Sequence, residues 1–491
     1  MAIKAICLLN NHITMKKRLR FPFLNRVVMI AACSLVAVAV NAQYLRTSYF
    51  MEGAQYRLQL NPALAPSRGY IHIPAVGNSS AMIRSNTLGV SDIFDLLKNV
   101  DDDDYYTTDK FYNRLRDNNM AMATMSSDLF AVGTWHGNSF MSFNISLRAD
   151  GNLSVARELF TFMRDMKGFN TNDYNNYTRM VGGGKMNLNV YTEVGFGYTR
   201  VINDRWTVGG RVKGLLGLGN VDLKVNKADI STHLQGIDPN IDWTTAGPDE
   251  LIDATGTATI DVDADLVTTF HGLELVNNSD GYIDDVKFKM GKMGVSGVGA
   301  AIDAGVAFNV TQEFTLSAAL TDLGFIRWAK GPTRVAHANT DDLNFDAENP
   351  GDLMRFASVV GTGKALNMDM ARLTIDPDGA KARTTSLAST MSLGGEYRLL
   401  DDKIRVGVLF TNHFASLENE SELTFSANYH PSSLIDLAIS YSPVMCGGKS
   451  LGLAVKAGPL MVGTDYMYMG NNTRCVNALV GLSIPLGARP E

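Results

Sequence analysis

The chain is poor in cysteine and proline, and it has few long apolar runs. It holds 4 cysteines and 14 prolines among 491 residues. No run of about 20 apolar residues occurs beyond residue 42, which excludes a bundle of membrane-spanning helices. No CxxC motif or Cys/His spacing indicates a zinc site. Cys7 and Cys33 lie in the first 42 residues, which are predicted below to be removed. A disulfide is therefore possible between Cys446 and Cys475, but the sequence does not decide whether it forms.

An excess of basic residues is absent as well. The sequence has 44 Lys plus Arg against 50 Asp plus Glu, a formal net charge of -6. A nucleic-acid partner would call for a basic face, so none is expected. The three glycines before Lys185 lack the spacing of a phosphate-binding loop. No Ser/His/Asp set can be assembled either, and we expect neither an enzyme nor a cofactor.

Residues 1–42 are predicted to be a signal peptide. Lys16, Lys17, Arg18 and Arg20 form a basic region, an apolar core follows over 27–40, and cleavage is placed after Ala42. Met15 then serves as the natural initiator and the residues before it as a spurious upstream start. A lipoprotein signal ending at Cys33 is the alternative.

Alternating side chains dominate the rest of the chain. Because successive side chains of a strand point to opposite faces, the hairpin over 187–225 has one apolar face and one polar or small face. The alternation changes phase near Gly219 and Asn220, which indicates a bulge or a strand end. Tyr198 and Trp206 flank the turn on the apolar face, where a membrane barrel carries its aromatic girdle. Similar strands follow from 300 to the end of the chain.

The links between these strands alternate in length, which is typical of an outer-membrane barrel. Short links fall at 136–138, 202–205, 311–313, 400–402, 430–433 and 459, and long ones at 150–186, 226–297, 329–385, 414–421, 443–450 and 470–474. The predicted fold is all-β, a transmembrane antiparallel β-barrel of about 14 strands with short helices in its loops. Residues 70–85 supply the first strand, Asp128 to Trp135 begin the next, and a hairpin within 255–290 would raise the count to about 16.

The polar faces of the strands are mostly Gly, Ala, Ser, Asn and Thr. A water-exposed sheet of a soluble protein would carry more Lys, Glu and Arg, whereas a crowded lumen suits small polar residues. The pattern favours an apolar face toward lipid. An exported soluble β-sandwich or barrel with its apolar face inward is the alternative.

Isolated charges of both signs fall on the predicted lumenal face. They suit either a selective polar pathway or salt bridges that fix the barrel shape, and the mixed signs favour salt bridges. Residues 43–69 are predicted to be a lumenal or plug segment, in which Pro62 and Pro66 exclude helix or central strand over 61–66, and 70–491 the barrel. The candidate lumen or plug residues are Asn61, Pro62, Ala63, Glu193, Arg211, Lys213, Asp303, Lys456 and Asp465, with Asp436 and Arg405 as further inward charges.

The acidic run Asp101 to Asp104 suits a divalent cation or a solvated loop. No EF-hand spacing accompanies it, so the loop is favoured and no metal site is predicted.

Three short motifs carry a resemblance to a known superfamily. They are Asn61-Pro62-Ala63, the stretch from Leu320 to Trp328, and the closing Leu482-Ser483-Ile484-Pro485-Leu486-Gly487. With the strand pattern, the chain resembles the FadL-like outer-membrane transport barrels, and most closely uncharacterised barrels of this type from Bacteroidetes. It departs from many such barrels in lacking a terminal aromatic residue.

The resemblance implies about 14 strands, an N-terminal segment in the lumen and passive passage of hydrophobic or amphipathic small molecules. Outer-membrane lipid and such a ligand are the expected partners. The alternative is a cell-envelope interaction or assembly protein that recruits a partner through its long surface loops.

Overall fold

The computed structural model describes most of the chain beyond residue 44. The described residues are 45–74, 76–89, 91–92, 95, 98–99, 103–168, 175–238, 253–278, 281–340, 344–349, 351–352, 372–415, 419–432, 434–445, 448–467 and 474–489. No helix within these ranges is long and apolar enough to cross a membrane. The predicted leader, Cys446, and Asp101 and Asp102 of the acidic run lie outside them.

Strands make up nearly all of the regular structure. The helices are short: α1 (Arg57–Leu60), α2 (Asp103–Thr107), α3 (Asp109–Tyr112) and α4 (Arg157–Gly168), with 3-10 turns at Arg46–Ser48 and Met290–Lys292. The strands are β1 (Arg68–His72), β2 (Ser79–Ser85), β3 (Asn118–His136), β4 (Ser139–Ala156), β5 (Tyr177–Val181), β6 (Gly184–Val201), β7 (Trp206–Gln235), β8 (Thr255–Phe270), β9 (Leu273–Asn277), β10 (Ile283–Phe288), β11 (Gly297–Asn309), β12 (Phe314–Trp328), β13 (Thr333–Ala338), β14 (Asn344–Asp346), β15 (Leu373–Asp376), β16 (Arg383–Ser386), β17 (Ser389–Leu399), β18 (Ile404–Phe414), β19 (Glu420–Ser432), β20 (Ile435–Met445), β21 (Gly448–Ala457), β22 (Leu460–Met467) and β23 (Cys475–Ala488).

The wall is a closed antiparallel barrel of 14 strands. Strands β1 and β2 share one position, and each pairs with β23 on one side and β3 on the other, which closes the ring. From β3 the wall passes through β4, β6, the first half of β7, β11, β12, β17 and then β18 to β23 in order. Strand β5 pairs with β7 beyond the end of β6, and β16 pairs with β12 beyond the end of β17.

Three local predictions need adjustment. The predicted first strand over 70–85 is broken at Pro74 into β1 and β2, because proline cannot donate to a strand ladder. The strand predicted from Asp128 begins at Asn118. The optional hairpin within 255–290 does not enter the wall, since β8 pairs with β7 and β13 and β10 pairs with β9. The change of phase predicted near Gly219 is confirmed, because the register shifts between Val190 and Tyr191 of β6, which pair with Gly219 and Gly217.

The outer surface of the wall is apolar. In β7, Val208, Val212 and Leu216 are exposed while Arg211, Lys213 and Leu215 are buried. The same alternation holds around the ring, so the apolar face meets lipid and the polar face lines the lumen. The soluble alternative with an inward apolar face is wrong. Other exposed apolar side chains of the wall are Phe196, Val298, Ile302, Leu316, Leu323, Leu393, Val406, Val408, Ile439, Leu453, Val480 and Ile484.

Aromatic side chains mark the end of the barrel with the short turns. Tyr198 and Trp206 are partly exposed there, and the ring of Trp206 lies 4.5 Å from that of Phe308, centroid to centroid. The arrangement matches an interfacial girdle at this end of the barrel.

Three long loops fold together into one body at the loop end, here called the surface module (157–181, 221–288 and 333–376 where described). The second half of β7 leaves the wall and pairs with β8, which pairs in turn with β13 and β14. The core contains Phe162, Ile230, Ile260, Leu266 and Phe345. These side chains come from all three loops, so the loops share one hydrophobic core.

A polar contact attaches α4 to the sheet of the surface module. The Tyr177 hydroxyl donates to Asp165 at 2.9 Å, and Asp165 also pairs with Arg179. Burial raises the pKa of the Tyr177 phenol to about 12.

Replacing Val212 with Arg tests the direction of the lipid face. Val212 is 59% exposed near the middle of a wall strand. An arginine at the midplane should cost about 2–4 kcal/mol of folding free energy, against roughly 0–1 kcal/mol near an interface. Urea unfolding in lipid vesicles measures the loss, with Ile202→Arg in the short turn as the control. Equal losses for the two variants would contradict the proposed orientation.

Candidate functional site: the lumen and its outer cavity

The segment over 45–66 is packed against the inner face of the barrel wall. Leu45, Tyr49 and Met51 are fully buried. Tyr49 reaches β12 through a 3.0 Å hydrogen bond to Ser317, and Gln55 reaches β23 by donating to Ser483 at 2.6 Å. Because these strands lie in different parts of the ring, the segment spans the lumen within the described structure.

Asn61, Pro62 and Ala63 form a tight turn at the centre of these contacts. The Asn61 side-chain oxygen accepts from the Ala63 backbone N–H at 2.9 Å, and its amide nitrogen donates to the Tyr49 hydroxyl at 3.0 Å. The Thr199 hydroxyl of β6 donates to the Pro62 carbonyl at 2.6 Å. The turn therefore satisfies its own polar groups and is bonded to the wall.

Two glycines of the wall let this turn approach the strands. Gly209 of β7 and Gly305 of β11 are cross-strand partners. A Cβ at Gly209 would fall on the Pro62 carbonyl, and one at Gly305 on the Asn61 side-chain oxygen. Glycine is thus required by close backbone approach at both positions.

The surface-side end of the segment is bound by charges. Arg46 Nε lies 2.6 Å from the Glu422 carboxylate of β19, and its guanidinium donates to the Tyr466 hydroxyl at 2.7 Å. The backbone N–H groups of Arg46 and Thr47 donate to the two Asp465 oxygens at 3.0 and 2.8 Å. Asp465, a predicted lumen residue, thus accepts hydrogen bonds from the backbone of the first turn of the segment.

A second set of polar contacts lies toward the short turns. Arg405 pairs with Glu52 of the segment and with Asp402, and the Gly53 N–H donates to Asp436 at 3.2 Å. The predicted Lys456 is the cross-strand partner of Asp436.

One possible metal-binding group occurs in this second set. Among the described residues, Glu52, Asp402 and His430 are close enough to share a cation. Arg405 already neutralises both carboxylates of this group.

Four predicted lumen residues meet in one buried ion-pair cluster on the wall. Lys213 Nζ lies 2.7 Å from Asp303 and 2.6 Å from Asp322. Arg211 lies 3.3 Å from Asp303 and 3.1 Å from Glu193. Each charge has an opposite partner, as buried ions require.

Asp322 was not predicted as part of this cluster. It has a left-handed backbone with φ of 59°, and its N–H donates to Asp303 at 2.7 Å. A single left-handed residue shifts the strand's alternation, so the pattern of side chains concealed its inward direction. Arg148 of β4, 2.7 Å from Glu193, was also missed, although it alternates with inward residues of its strand.

A cavity of about 660 Å³ opens at the loop end of the barrel. It lies among the ends of β2, β3, β19, β20 and β21, and its walls include Arg84, Glu420 and Met122. We call it the outer cavity. A smaller chamber of about 20 Å³, the inner chamber, shares Arg84 and Glu420 with it and reaches Arg46 and Leu60 of the N-terminal segment.

Comparisons with known proteins give one family and several solved barrels. A family model described as "Family of unknown function (DUF5723)" matches residues 62–465. No curated protein matches the chain. The solved structure of a TodX deltaS2S3 mutant monoaromatic hydrocarbon channel is 10% identical over 88% of this chain and 94% of that chain, with a TM-score of 0.42.

Two further solved structures have similar values. The P. putida toluene transporter TodX is 9% identical over 89% of this chain and 95% of its own, with a TM-score of 0.38. A Pseudomonas aeruginosa FadL homologue is 11% identical over 90% and 93%, with a TM-score of 0.34. Because these identities and TM-scores are low, the fold of this chain is assigned from its own strand pairing.

Replacing Gly209 with Ala should displace the turn at Pro62. The added Cβ meets a backbone carbonyl, which has no flexible end that could move aside. A cysteine placed at the fully buried Ser48, with Cys446→Ser and Cys475→Ala in the background, should then react faster with a charged maleimide.

Gly210→Ala is the matched control, because its Cβ would lie at an ordinary 3.5 Å from the Asp303 carbonyl. Equal labelling rates in the two variants would show that Gly209 does not position the segment.

Proposed function

The chain belongs to the DUF5723 family of unknown function, and we propose that it is a plugged outer-membrane channel. In this proposal, it passes a hydrophobic or amphipathic small molecule passively from the cell surface toward the periplasm. Residues 1–42 export it, and residues 45–66 act as the plug. No chemical reaction is assigned to it.

The observation that carries this proposal is the position of the outer cavity. It opens on the loop side, and the inner chamber below it ends on Arg46 and Leu60 of the N-terminal segment. A molecule that enters from the cell surface would thus meet the segment directly. The volume of the outer cavity lies within the usual range of roughly 300–1,000 Å³ for small-molecule sites.

The segment makes both polar and apolar contacts with the wall. Arg46 and Glu52 bind it through charges, and Leu45, Met51 and Tyr56 pack against apolar side chains of β20 to β23. Water can replace the polar partners when the segment shifts, whereas the apolar contacts would lose their burial, so movement of the segment costs free energy. Passage in this proposal requires that the segment leave the inner chamber.

A disulfide between the segment and the wall should stop passage. The Thr47 and Ser440 hydroxyl oxygens lie 2.6 Å apart, so cysteines at both positions lie close enough to bond. With Cys446→Ser and Cys475→Ala in the background, we expect the oxidised double variant to admit N-phenylnaphthylamine into intact cells about tenfold more slowly.

Reduction should restore the rate, and Thr47→Cys alone should behave as the parent. Unchanged uptake by the oxidised variant would exclude movement of the segment as the gate.

A second function, recruitment of an envelope protein, is favoured by the surface module. Its sheet has one face on the hydrophobic core, and the side chains of the other face are exposed or half-buried. The second face carries Asp261, Asp263, Asp265, Asp346 and Asp376, with Lys227 paired to Asp261 and His337 to Asp265 and Asp376. We propose that a basic partner surface would bind there, since complementary charge guides association.

Crosslinking in intact membranes tests this second function. A stoichiometric partner should be recovered with the parent and lost with Asp263→Lys and Asp346→Lys, two exposed positions. The same substitutions made as Asp→Asn should weaken recovery less. If no stoichiometric partner is recovered, or if its recovery ignores the charge reversal, the recruiting function fails.

A further inference from the structure

We propose that the outer cavity binds an amphipathic organic anion that carries hydroxyl groups, of the size of an alkyl sugar acid. This inference rests on the proposed function, because it names the class of molecule that the channel would accept. It is narrower than that function, since neither a plain hydrocarbon nor a plain alkyl acid satisfies the polar groups of the cavity.

The charge of the described walls favours an anion. Arg84, Arg116 and Lys449 line the cavity against the single acid Glu420. Arg84 is paired with Glu420, which leaves the two exposed cations to set the sign. A carboxylate bound between a guanidinium and an ammonium gains charge-assisted hydrogen bonds.

The apolar part of the ligand would lie on methionine. Met120 and Met122 of β3 and Met445 of β20 face the cavity, and Met122 and Met445 pack with Cys475 in one buried cluster. Methionine side chains adapt to different apolar shapes, so this surface suits a flexible alkyl chain.

The polar walls of the outer cavity and the inner chamber are the reason for proposing hydroxyl groups on the ligand. Asn152 and Asn419 line the outer cavity, where amides can both donate and accept, whereas the Asn86 amide donates to Asn118 and accepts from Met120. Deeper in, Ser392 is 1% exposed, and its hydroxyl has no hydrogen-bond partner among the described residues. Such a buried hydroxyl is costly unless something binds it.

The inner chamber has room for one small polar group. Its 20 Å³ is enough for a single water-sized group. His413 donates to or accepts from Thr390 through Nδ1 at 2.9 Å, and its Nε2 has no hydrogen-bond partner in the described structure. A ligand hydroxyl that passed the Arg84–Glu420 pair shared by the two cavities would find Ser392 and His413 as partners in the inner chamber.

Three probes separate the requirements. Octyl glucuronide has the alkyl chain, the hydroxyls and the charge, octyl glucoside lacks the charge, and octanoate lacks the hydroxyls. Titration calorimetry on the full chain in lipid nanodiscs, corrected with empty nanodiscs, should give octyl glucuronide the tightest binding, by about tenfold over each of the others. Equal binding of either other probe, or binding of none, would overturn the proposal.

Substitution of the two exposed cations tests whether the ligand binds in the outer cavity. Arg116→Gln with Lys449→Gln should weaken octyl glucuronide about tenfold and leave octyl glucoside unchanged. Lys330→Gln with Lys381→Gln, also exposed cations, is the matched control and should leave octyl glucuronide binding unchanged. Weaker octyl glucuronide binding in both double variants would reflect the general surface charge and would overturn the proposed site.

The outcomes are distinct from those of the proposed function. Selective binding of octyl glucuronide together with undiminished uptake by the disulfide-bonded variant would keep the site and exclude the gated channel. A channel that closes on oxidation but binds the three probes equally would keep the function and exclude this ligand class.

Discussion

Backbone hydrogen bonds in a wall that faces lipid have to be completed by neighbouring strands, because no water is present to replace them. The ring closes where β1 and β2 together lie between β23 and β3. The break between them would leave a gap in the pairing, yet it is bridged. The Ile73 N–H donates to the Leu482 carbonyl at 3.1 Å, and the Leu482 N–H donates to the Val76 carbonyl at 2.9 Å. The wall therefore stays closed through the one interruption that Pro74 imposes.

The same requirement acts on the inner face, where ions and not backbone groups need partners. A lysine or carboxylate in a crowded lumen is stable only beside its opposite. The wall meets this need by itself around Lys213, where Asp303 and Asp322 supply the acids. Elsewhere it needs the N-terminal segment, since Arg46 supplies the cation for Glu422. Wall and segment thus complete one electrostatic arrangement, and the segment cannot leave without exposing acids that were paired.

Periodicity of two is a local property, so the sequence was enough to predict which side chains face lipid and which face the lumen, as in Val212 and Arg211. Link lengths were enough for the number of strands. The pairing partners of each strand were not predictable, because a strand of the surface module has the same alternation as a wall strand. The region of β8 could therefore be read either as part of a long link or as an extra hairpin of the barrel. Ion pairs between distant residues, such as Arg46 with Glu422, leave no local pattern. Asp322 was hidden by its left-handed backbone, which reverses the alternation on which the prediction rested.

Strand β7 belongs to two bodies at once. Its first half pairs with β11 in the wall and holds Gly209 against the turn at Pro62, while its second half pairs with β8 in the surface module. One continuous backbone therefore connects the shared core of the surface module with the wall contact of the N-terminal segment.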